Sequence, residues 1–423
     1  MEENRTEAPS AATTAVVLAG GGALGAYEAG VLSYVFGELA RELGGAARPN
    51  VFAGTSVGAL NCGALAAYAD DPGEAVRRLA RYWRSVTMDH VLRFGHRELA
   101  TLLWLVVGRG ERPRARLLSR PRRGMHAPVA GLFDTGPLHE QMKTLIPWDR
   151  LQRNLARGTV RGIALCATEV CTGLSIIFYQ TSPGVEYRVG ADPAKEARQV
   201  RIDVEHAMAS AAIPFLFPSV QIDGVCYTDG GIRQNTPLNP ALRLGAERVL
   251  VVSVSQDPLV DARLARSGCR RNAYPGALFL VGRMAKVLLA QSLDYELSRV
   301  ELYNRLIEGG VQAYGPDFLL NLNRILSPFR NSHYRPVRTC HIRPSRDLHS
   351  LAVDCLKRAP EELTLPGASG KLASAVVRSP AVAESELLTY VMFTPTYARE
   401  LLALGERDAR ASRDRLVRFF ADE

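Results

Sequence analysis

Short apolar runs alternate along the chain with segments in which apolar residues recur every three or four positions. Residues 15–19 and 51–53 are apolar runs, and each is followed by glycines and then by a segment of helical spacing. Residues 163–167 and 249–254 are continuous apolar runs, typical of strands buried on both faces of a parallel sheet. The pattern predicts an α/β fold of three layers, with helices on both faces of a mostly parallel sheet.

Three further segments have patterns that predict a strand or a helix. Residues 220–227 are strand-like, and helical spacing returns over residues 273–308 and 395–420. Thr236, Pro237 and Gly245 have the types expected at the N-cap, at the first position and just past the end of a short helix.

Composition and charge narrow the class of protein. The 423 residues are 47% hydrophobic and 22% charged, which is a globular composition. The net charge of +9 favours an anionic partner, either a nucleic acid, a membrane surface or an acidic substrate. No zinc-finger, homeodomain or RNP-like pattern is present, so we expect no nucleic-acid binding.

Cysteine usage and the N-terminus suggest a location. The seven cysteines include no C-x-x-C pair, which favours a reducing compartment. Residues 1–14 lack the basic and apolar regions of a signal peptide and are expected to form a disordered tail. The longest strongly apolar run, residues 99–107, is about half the length of a membrane-spanning helix. We therefore expect a cytoplasmic protein.

Residues 92–123 combine an apolar stretch with the main basic concentration of the chain. Seven arginines between positions 109 and 123 are offset there only by Glu111. Such a segment fits contact with an anionic lipid surface, and a helix packed on the core followed by a solvated basic loop remains an alternative. The candidate membrane contacts are Trp104, Arg112, Arg114, Arg116, Arg120, Arg122 and Arg123.

Residues 54–58 read Gly-Thr-Ser-Val-Gly and match the pattern G-x-S-x-G. In this pattern a sharp turn between a strand and a helix exposes a serine hydroxyl at the helix N-terminus. Its position between an apolar run and a segment of small residues fits that arrangement. Ser56 is therefore a candidate nucleophile, although a glycine-rich turn with a capping serine has the same appearance.

Residues 20–25 read Gly-Gly-Gly-Ala-Leu-Gly and have two interpretations. They fit the dinucleotide pattern G-x-G-x-x-G, but that site needs an acidic residue at the end of the next strand, which here ends at Gly54 without a carboxylate. They also fit an oxyanion hole, in which glycine N–H groups at a helix N-terminus bind developing negative charge. Neighbouring parallel strands would place this loop beside Ser56, which favours the oxyanion hole.

A serine nucleophile needs a base. None of the eight histidines lies in a clear strand-end loop with Gly or Asp beside it. Asp229 follows the strand-like run 220–227, and Gly230 and Gly231 would allow its carboxylate to approach a hydroxyl closely. Asp229 is therefore a candidate base, although Asp-Gly-Gly alone is also a common turn.

These three motifs, in this order, resemble the signatures of patatin-like phospholipases. Residues 209–214 (ASAAIP), 217–218 (FP) and 235–238 (NTPL) also resemble that family. The resemblance is strong over about residues 15–254 and looser beyond. It implies a patatin-like catalytic α/β domain at residues 15–260, with residues 92–128 as an insertion, and a mainly helical C-terminal region at residues 261–423 packed on that domain.

The resemblance also implies a function and roles. It implies a lipid acyl hydrolase of the phospholipase A, lysophospholipase or esterase type, with Ser56 as nucleophile and Asp229 as base. The implied oxyanion donors are Gly20, Gly21, Gly22 and Val57, and the other motif glycines are Gly25, Gly54, Gly58, Gly230 and Gly231. No metal-binding pattern is present, so we expect neither a metal nor a cofactor.

Leu24 departs from the pattern of the family it resembles, because many members carry Lys or Arg at this position. Leucine leaves the backbone donors in place but removes a cation that would support an oxyanion or a phosphate. Two alternatives therefore stay open: a catalytically weak or inactive lipid-binding protein, and, ranked lower, a dinucleotide-dependent oxidoreductase. The lipid headgroup, the acyl position and the oligomeric state cannot be read from the sequence.

Overall fold

The computed structural model describes residues 12–93, 131, 133–190, 192–256, 293–330, 333–363 and 387–421. Most of the predicted tail, the segment 94–128 and much of the predicted helix 273–308 lie outside them.

Nine strands of the described residues form one mixed sheet. They are β1 (Thr14–Leu18), β2 (Val51–Thr55), β3 (Gly162–Glu169), β4 (Ser175–Thr181), β5 (Lys195–Gln199), β6 (Val220–Ile222), β7 (Val225–Asp229), β8 (Arg248–Val252) and β9 (Arg338–Ile342). The order is β5-β4-β3-β2-β1-β8-β9, and β7 pairs with both β3 and β6. The central strands β3, β2, β1, β8 and β9 are all parallel to one another. The predicted α/β fold with a mostly parallel sheet is confirmed.

The apolar runs form strands because both faces of the sheet are covered. Every residue of β1 is buried. Val16 and Leu18 face one hydrophobic cluster, while Ala15 and Val17 face the other. Side chains that alternate between two buried faces require a continuous apolar run, which is the pattern seen in the sequence.

Sixteen α-helical segments are described. They are α1 (Gly25–Ser33), α2 (Ala40–Glu42), α3 (Val57–Ala67), α4 (Pro72–Ser85), α5 (Met88–Val91), α6 (Gly136–Leu145), α7 (Trp148–Ala156), α8 (Val204–Ser210), α9 (Gly231–Gln234), α10 (Leu238–Arg243), α11 (Leu293–Tyr314), α12 (Phe318–Arg330), α13 (Leu348–Arg358), α14 (Leu387–Val391), α15 (Pro395–Ala411) and α16 (Arg413–Phe420). A 3₁₀ turn, Gly22–Leu24, precedes α1, and a π-helical segment, Tyr34–Leu39, joins α1 to α2. None of the described helices is long and apolar enough to cross a bilayer.

The structure corrects three local predictions. The strand-like run 220–227 is a hairpin of β6 and β7, because Asp223 and Gly224 both have positive φ and turn the chain. The terminal helix is interrupted at Ser412 and forms α15 and α16. Helix α10 is capped by Pro237, whose ψ of 62° is not helical, and not by Thr236.

The C-terminal region is part of the same fold. Strand β9 adds a parallel strand to the sheet beside β8, and α15 packs directly on α1. A side chain at Gly30 of α1 would lie 2.1 Å from the carbonyl oxygen of Leu402. The Tyr27 hydroxyl donates a 3.1 Å hydrogen bond to Asp408 Oδ2. Helix α15 therefore supports the helix that follows the glycine loop.

Candidate active site

Ser56 occupies the sharp turn between β2 and α3. Its φ of 55° and ψ of −127° are rare for a residue with a side chain, and only 3% of its surface is exposed. The turn also depends on Gly58, because a side chain there would lie 2.5 Å from the Leu18 carbonyl oxygen. A strained, buried serine at a helix N-terminus is the backbone arrangement expected of an activated hydroxyl.

Asp229 is the last residue of β7. This strand pairs with β3, and β3 pairs with β2, the strand that precedes Ser56. The Gly231 amide donates a 2.7 Å hydrogen bond to Asp229 Oδ1, and the Ser56 side chain lies near enough to the carboxylate to lower its pKa. Burial raises the pKa of Asp229 to about 6, while the interactions with Ser56 and Gly231 oppose that rise. The two residues chosen from the sequence, 173 positions apart, are thus brought close together.

The glycine loop, residues 20–25, lies beside Ser56 because β1 and β2 are parallel neighbours. A side chain at Gly20 would lie 3.0 Å from Ser56 Cβ, so only glycine allows this approach. Gly22 has a φ of 55°, and a side chain there would lie 2.2 Å from the Tyr390 carbonyl oxygen. The predicted juxtaposition of the loop and Ser56 is therefore present.

One expected oxyanion donor is occupied by another partner. The Gly20 amide donates a 2.9 Å hydrogen bond to the Asn235 carbonyl oxygen, so it is not available to an oxyanion. Gly20 thus allows the loop to lie close to Ser56, whereas the sequence predicted that its amide would bind the oxyanion. The Val57 amide is at the first position of α3, where an N–H group has no partner within its own helix.

Three more of the motif glycines lie at contacts that admit no side chain. At Gly25 a side chain would lie 2.3 Å from Val57 Cγ2, and at Gly54 it would lie 2.3 Å from the Gly58 carbonyl oxygen. At Gly230 it would lie 2.1 Å from the carbonyl oxygen of Cys166.

The model of the Patatin-like phospholipase family matches residues 16–242, which is more than half of the chain. The chain belongs to the patatin-like phospholipase family. The matched range contains the glycine loop, the Ser56 turn and Asp229, so the dinucleotide interpretation of residues 20–25 loses its support. No curated protein matches the chain.

Two solved structures are similar to this patatin-like chain at low identity. The crystal structure of VipD from Legionella pneumophila is 12% identical, with 93% of this chain and 67% of that chain covered and a TM-score of 0.29. Human GIVD cytosolic phospholipase A2, in complex with methyl gamma-linolenyl fluorophosphonate, is 12% identical, with 97% and 58% covered and a TM-score of 0.38. The chain thus spans less than two thirds of the human protein, and at these TM-scores neither structure bears on the details of the site.

Ser210 is a site residue of this patatin-like protein that the sequence did not single out. It ends α8, and its hydroxyl accepts a 2.9 Å hydrogen bond from the Ser56 amide and donates one of 2.5 Å to the Cys166 carbonyl oxygen. Ser210 is fully buried. It therefore ties the strained Ser56 turn to strand β3.

A second unpredicted group lies behind the glycine loop. Glu28 of α1 is fully buried, and its Oε2 accepts a 2.8 Å hydrogen bond from Asn61 Nδ2 of α3. The same Asn61 nitrogen donates to the Gly25 carbonyl oxygen at 3.1 Å. Burial raises the pKa of Glu28 well above its ordinary value, which favours the uncharged form of this side chain. Glu28 and Asn61 join the loop to the helix that begins after Ser56.

A narrow apolar cleft opens beside Ser56. It has about 30 Å³ of space for water-sized molecules, so a long ligand requires the surrounding side chains to move. Helix α6 forms one wall and is tied to α8 by a 2.7 Å ion pair between His139 Nε2 and Glu205 Oε1. Residues lining the cleft include Leu60, Leu79, Met142, Ile213, Phe217 and Phe393.

A larger groove of about 950 Å³ lies elsewhere on the molecule. It is bordered by the π-helical segment and by α4, and its lining includes Arg41, Arg48 and Arg77. Ser56 and Asp229 are not among its lining residues. The groove is therefore separate from the candidate chemistry.

Three of the described histidines contact residues other than Ser56 and Asp229. His139, His206 and His341 contact Glu205, Asp203 and Ser253, respectively. Across the described ranges, no group of three or more His, Cys, Asp or Glu side chains could hold a metal ion. The predicted membrane contacts at position 104 and between positions 112 and 123 lie outside the described residues.

Proposed function

We propose that this protein is a lipid acyl hydrolase that cleaves fatty-acyl esters with Ser56 as nucleophile and Asp229 as base. The proximity of the Ser56 side chain to the buried Asp229 carboxylate carries this proposal. A carboxyl group with a pKa of about 6 is ionised at neutral pH, yet it is a stronger base than an ordinary aspartate. Phospholipase A, lysophospholipase and simple esterase activities all use this chemistry.

In the first half-reaction, Ser56 Oγ forms a bond to the ester carbonyl carbon while its proton passes to Asp229. The Gly21, Gly22 and Val57 amides are proposed to stabilise the resulting oxyanion. The bond from the carbonyl carbon to the alcohol oxygen then breaks, and the alcohol leaves with the proton from Asp229. An acyl-serine remains.

In the second half-reaction, water attacks the acyl-serine. Asp229 accepts a proton from the water, and the fatty acid leaves as the Ser56 oxygen takes that proton back. The apolar cleft beside Ser56 is the proposed site for the acyl chain, because its lining offers almost no polar group to an alternative ligand.

Labelling with a fluorophosphonate tests the nucleophile. We expect the wild-type protein to be labelled and Ser56→Ala not to be. Ser253→Ala is a matched control, since Ser253 is also buried at the end of a sheet strand but hydrogen-bonds His341. Labelling of Ser56→Ala at the wild-type rate would contradict the proposal.

A catalytically weak or inactive lipid-binding protein is the second candidate, and Leu24 is the observation that favours it. The Leu24 side chain is only 2% exposed and places no charge in the glycine loop. This candidate predicts binding of lipid without fluorophosphonate labelling or ester hydrolysis.

We also propose contact with an anionic membrane surface through the basic segment, residues 92–123. Changing Arg112, Arg114, Arg116, Arg120, Arg122 and Arg123 to Ser is expected to weaken binding to anionic liposomes at moderate salt. Unchanged binding would contradict this part of the proposal.

A further inference from the structure

Phe215 is the most exposed large hydrophobic side chain in the part of the chain that the structure describes. Its exposed fraction is 90%, compared with 79% for Tyr314 and 70% for Leu320. An apolar ring held almost entirely in water gains nothing from the hydrophobic effect. Core packing therefore does not explain the phenylalanine.

The backbone at Phe215 makes this residue type still less favourable. Its φ is 67°, in the left-handed region that glycine adopts freely and that side chains disfavour. A glycine would satisfy this turn without strain. The protein thus holds an exposed phenyl ring at a position where the fold itself favours glycine, and such an outlier points to a function.

The chain on both sides of Phe215 lines part of the candidate active site. The Phe217 amide donates a 2.8 Å hydrogen bond to the Ile213 carbonyl oxygen, which closes the turn. Ile213 and Phe217 both line the apolar cleft beside Ser56. Phe215 therefore stands next to the cleft and projects away from the core.

The same turn adjoins the chain on either side of the predicted basic segment. The Phe133 amide donates a 2.8 Å hydrogen bond to the Leu216 carbonyl oxygen, and the Arg93 amide donates one of 2.8 Å to the Asp134 carbonyl oxygen. The described residues that flank positions 94–130 are thus fixed beside the Phe215 turn. One face of the molecule therefore carries the ring of Phe215, the apolar cleft beside Ser56 and the flanks of the basic segment.

We propose that Phe215 is an interfacial anchor, which inserts its ring into a lipid surface and places the cleft beside Ser56 against that surface. The inference rests on the proposed function, since a hydrolase that acts on membrane lipids takes its substrate from such a surface. Aromatic rings favour the boundary between the headgroups and the acyl chains, where they bury apolar area.

Sedimentation with phosphatidylcholine vesicles tests the anchor. These vesicles carry no net charge, so binding measures insertion and not attraction between charges. The proteins compared carry Ser56→Ala, which prevents hydrolysis, alone or with Phe215→Ser, Phe215→Gly or the matched control Leu320→Ser. Phe215→Gly also removes the backbone strain, so loss of binding by this variant cannot be assigned to misfolding.

We expect both Phe215 variants to bind about tenfold more weakly, which is within the range for loss of one inserted aromatic ring. Leu320→Ser is expected to bind as the parent does. Equal binding by parent and Phe215 variants would overturn the inference. Loss of a dimer in the Phe215 variants with unchanged vesicle binding would also overturn it, in favour of a second copy as the occupant.

A second measurement separates the anchor from the proposed function. With Ser56 intact, hydrolysis of a short water-soluble ester monitors the catalytic centre without a membrane. We expect Phe215→Gly to lower the ratio of vesicle hydrolysis to soluble-ester hydrolysis. If the wild-type protein hydrolyses neither substrate, the proposed function fails, while vesicle binding by the Ser56→Ala proteins still decides the role of Phe215.

Discussion

The backbone amide of Ser56 donates a 2.9 Å hydrogen bond to the side-chain oxygen of Ser210. This bond spans 154 positions of sequence and links the nucleophile turn to the end of α8. It also engages the Ser56 amide, which leaves the amides of Gly21, Gly22 and Val57 as the proposed oxyanion donors. Ser210 is therefore a positioning residue for the turn.

Replacing Ser210 by alanine is expected to lower kcat for ester hydrolysis by about tenfold, with a smaller change in KM. The reason is that the strained turn loses its tie to β3, so Ser56 is less well aimed. Ser175→Ala is a matched control, because Ser175 is equally buried and its hydroxyl has no partner among the described residues. Equal effects of the two substitutions would argue against a positioning role.

Asp229→Asn is expected to stabilise the fold at high pH while abolishing hydrolysis. The folded pKa of about 6 lies above the ordinary value of 3.8, so the folded state binds the proton more tightly than the unfolded state. The contribution of Asp229 to wild-type stability is then fully present below about pH 4 and is lost as the pH rises through about 6. The variant lacks this loss, which amounts to at most about 3 kcal/mol.

Thermal unfolding at several pH values measures this difference. The Tm of Asp229→Asn should exceed that of the wild type above pH 6, and the gap should close toward pH 4. A gap that is independent of pH would contradict the raised pKa. In the wild type, activity is expected to rise with pH through about 6, as Asp229 loses its proton and becomes a base.

Gly22→Ala is expected to destabilise the protein and to abolish activity. Alanine at a φ of 55° is strained, and its Cβ would collide with the Tyr390 carbonyl oxygen. Gly44→Ala is the matched control, because Gly44 has a φ of 59° with no atom within 4 Å of the added Cβ. Strain alone costs about 1 to 2 kcal/mol, so the control should lose only that much stability and keep its activity.

Glu28 should tolerate glutamine better than alanine. Burial raises its pKa and favours the uncharged form, and Glu28→Gln keeps an uncharged side chain with an acceptor for Asn61, whereas Glu28→Ala loses the link between α1 and α3. We expect near-normal kcat for Glu28→Gln and about a tenfold loss for Glu28→Ala, with similar KM in both. A pH profile shifted by Glu28→Gln would show instead that Glu28 is charged.

The sequence predicted the strands, loops and site residues that arise from short stretches of neighbouring residues. The apolar run of β1 and the glycines after it predicted a buried strand and a close loop, and Ser56 and Asp229 followed from motifs. The hairpin at Asp223 was missed although Asp-Gly is a known hairpin signal. Ser210, Glu28 and Asn235 were not predicted, because their roles depend on contacts between distant segments that leave no periodicity in the sequence.

The contact between Gly30 and Leu402 has a consequence for biosynthesis. Helix α1, which follows the glycine loop, is covered by a helix made some 370 positions later. A chain still attached to the ribosome therefore carries all three motifs while the outer face of α1 remains uncovered. Packing of α1 in the catalytic half cannot be completed until α15 has been made, and until α15 docks the nascent chain has an exposed apolar surface that is a target for chaperones.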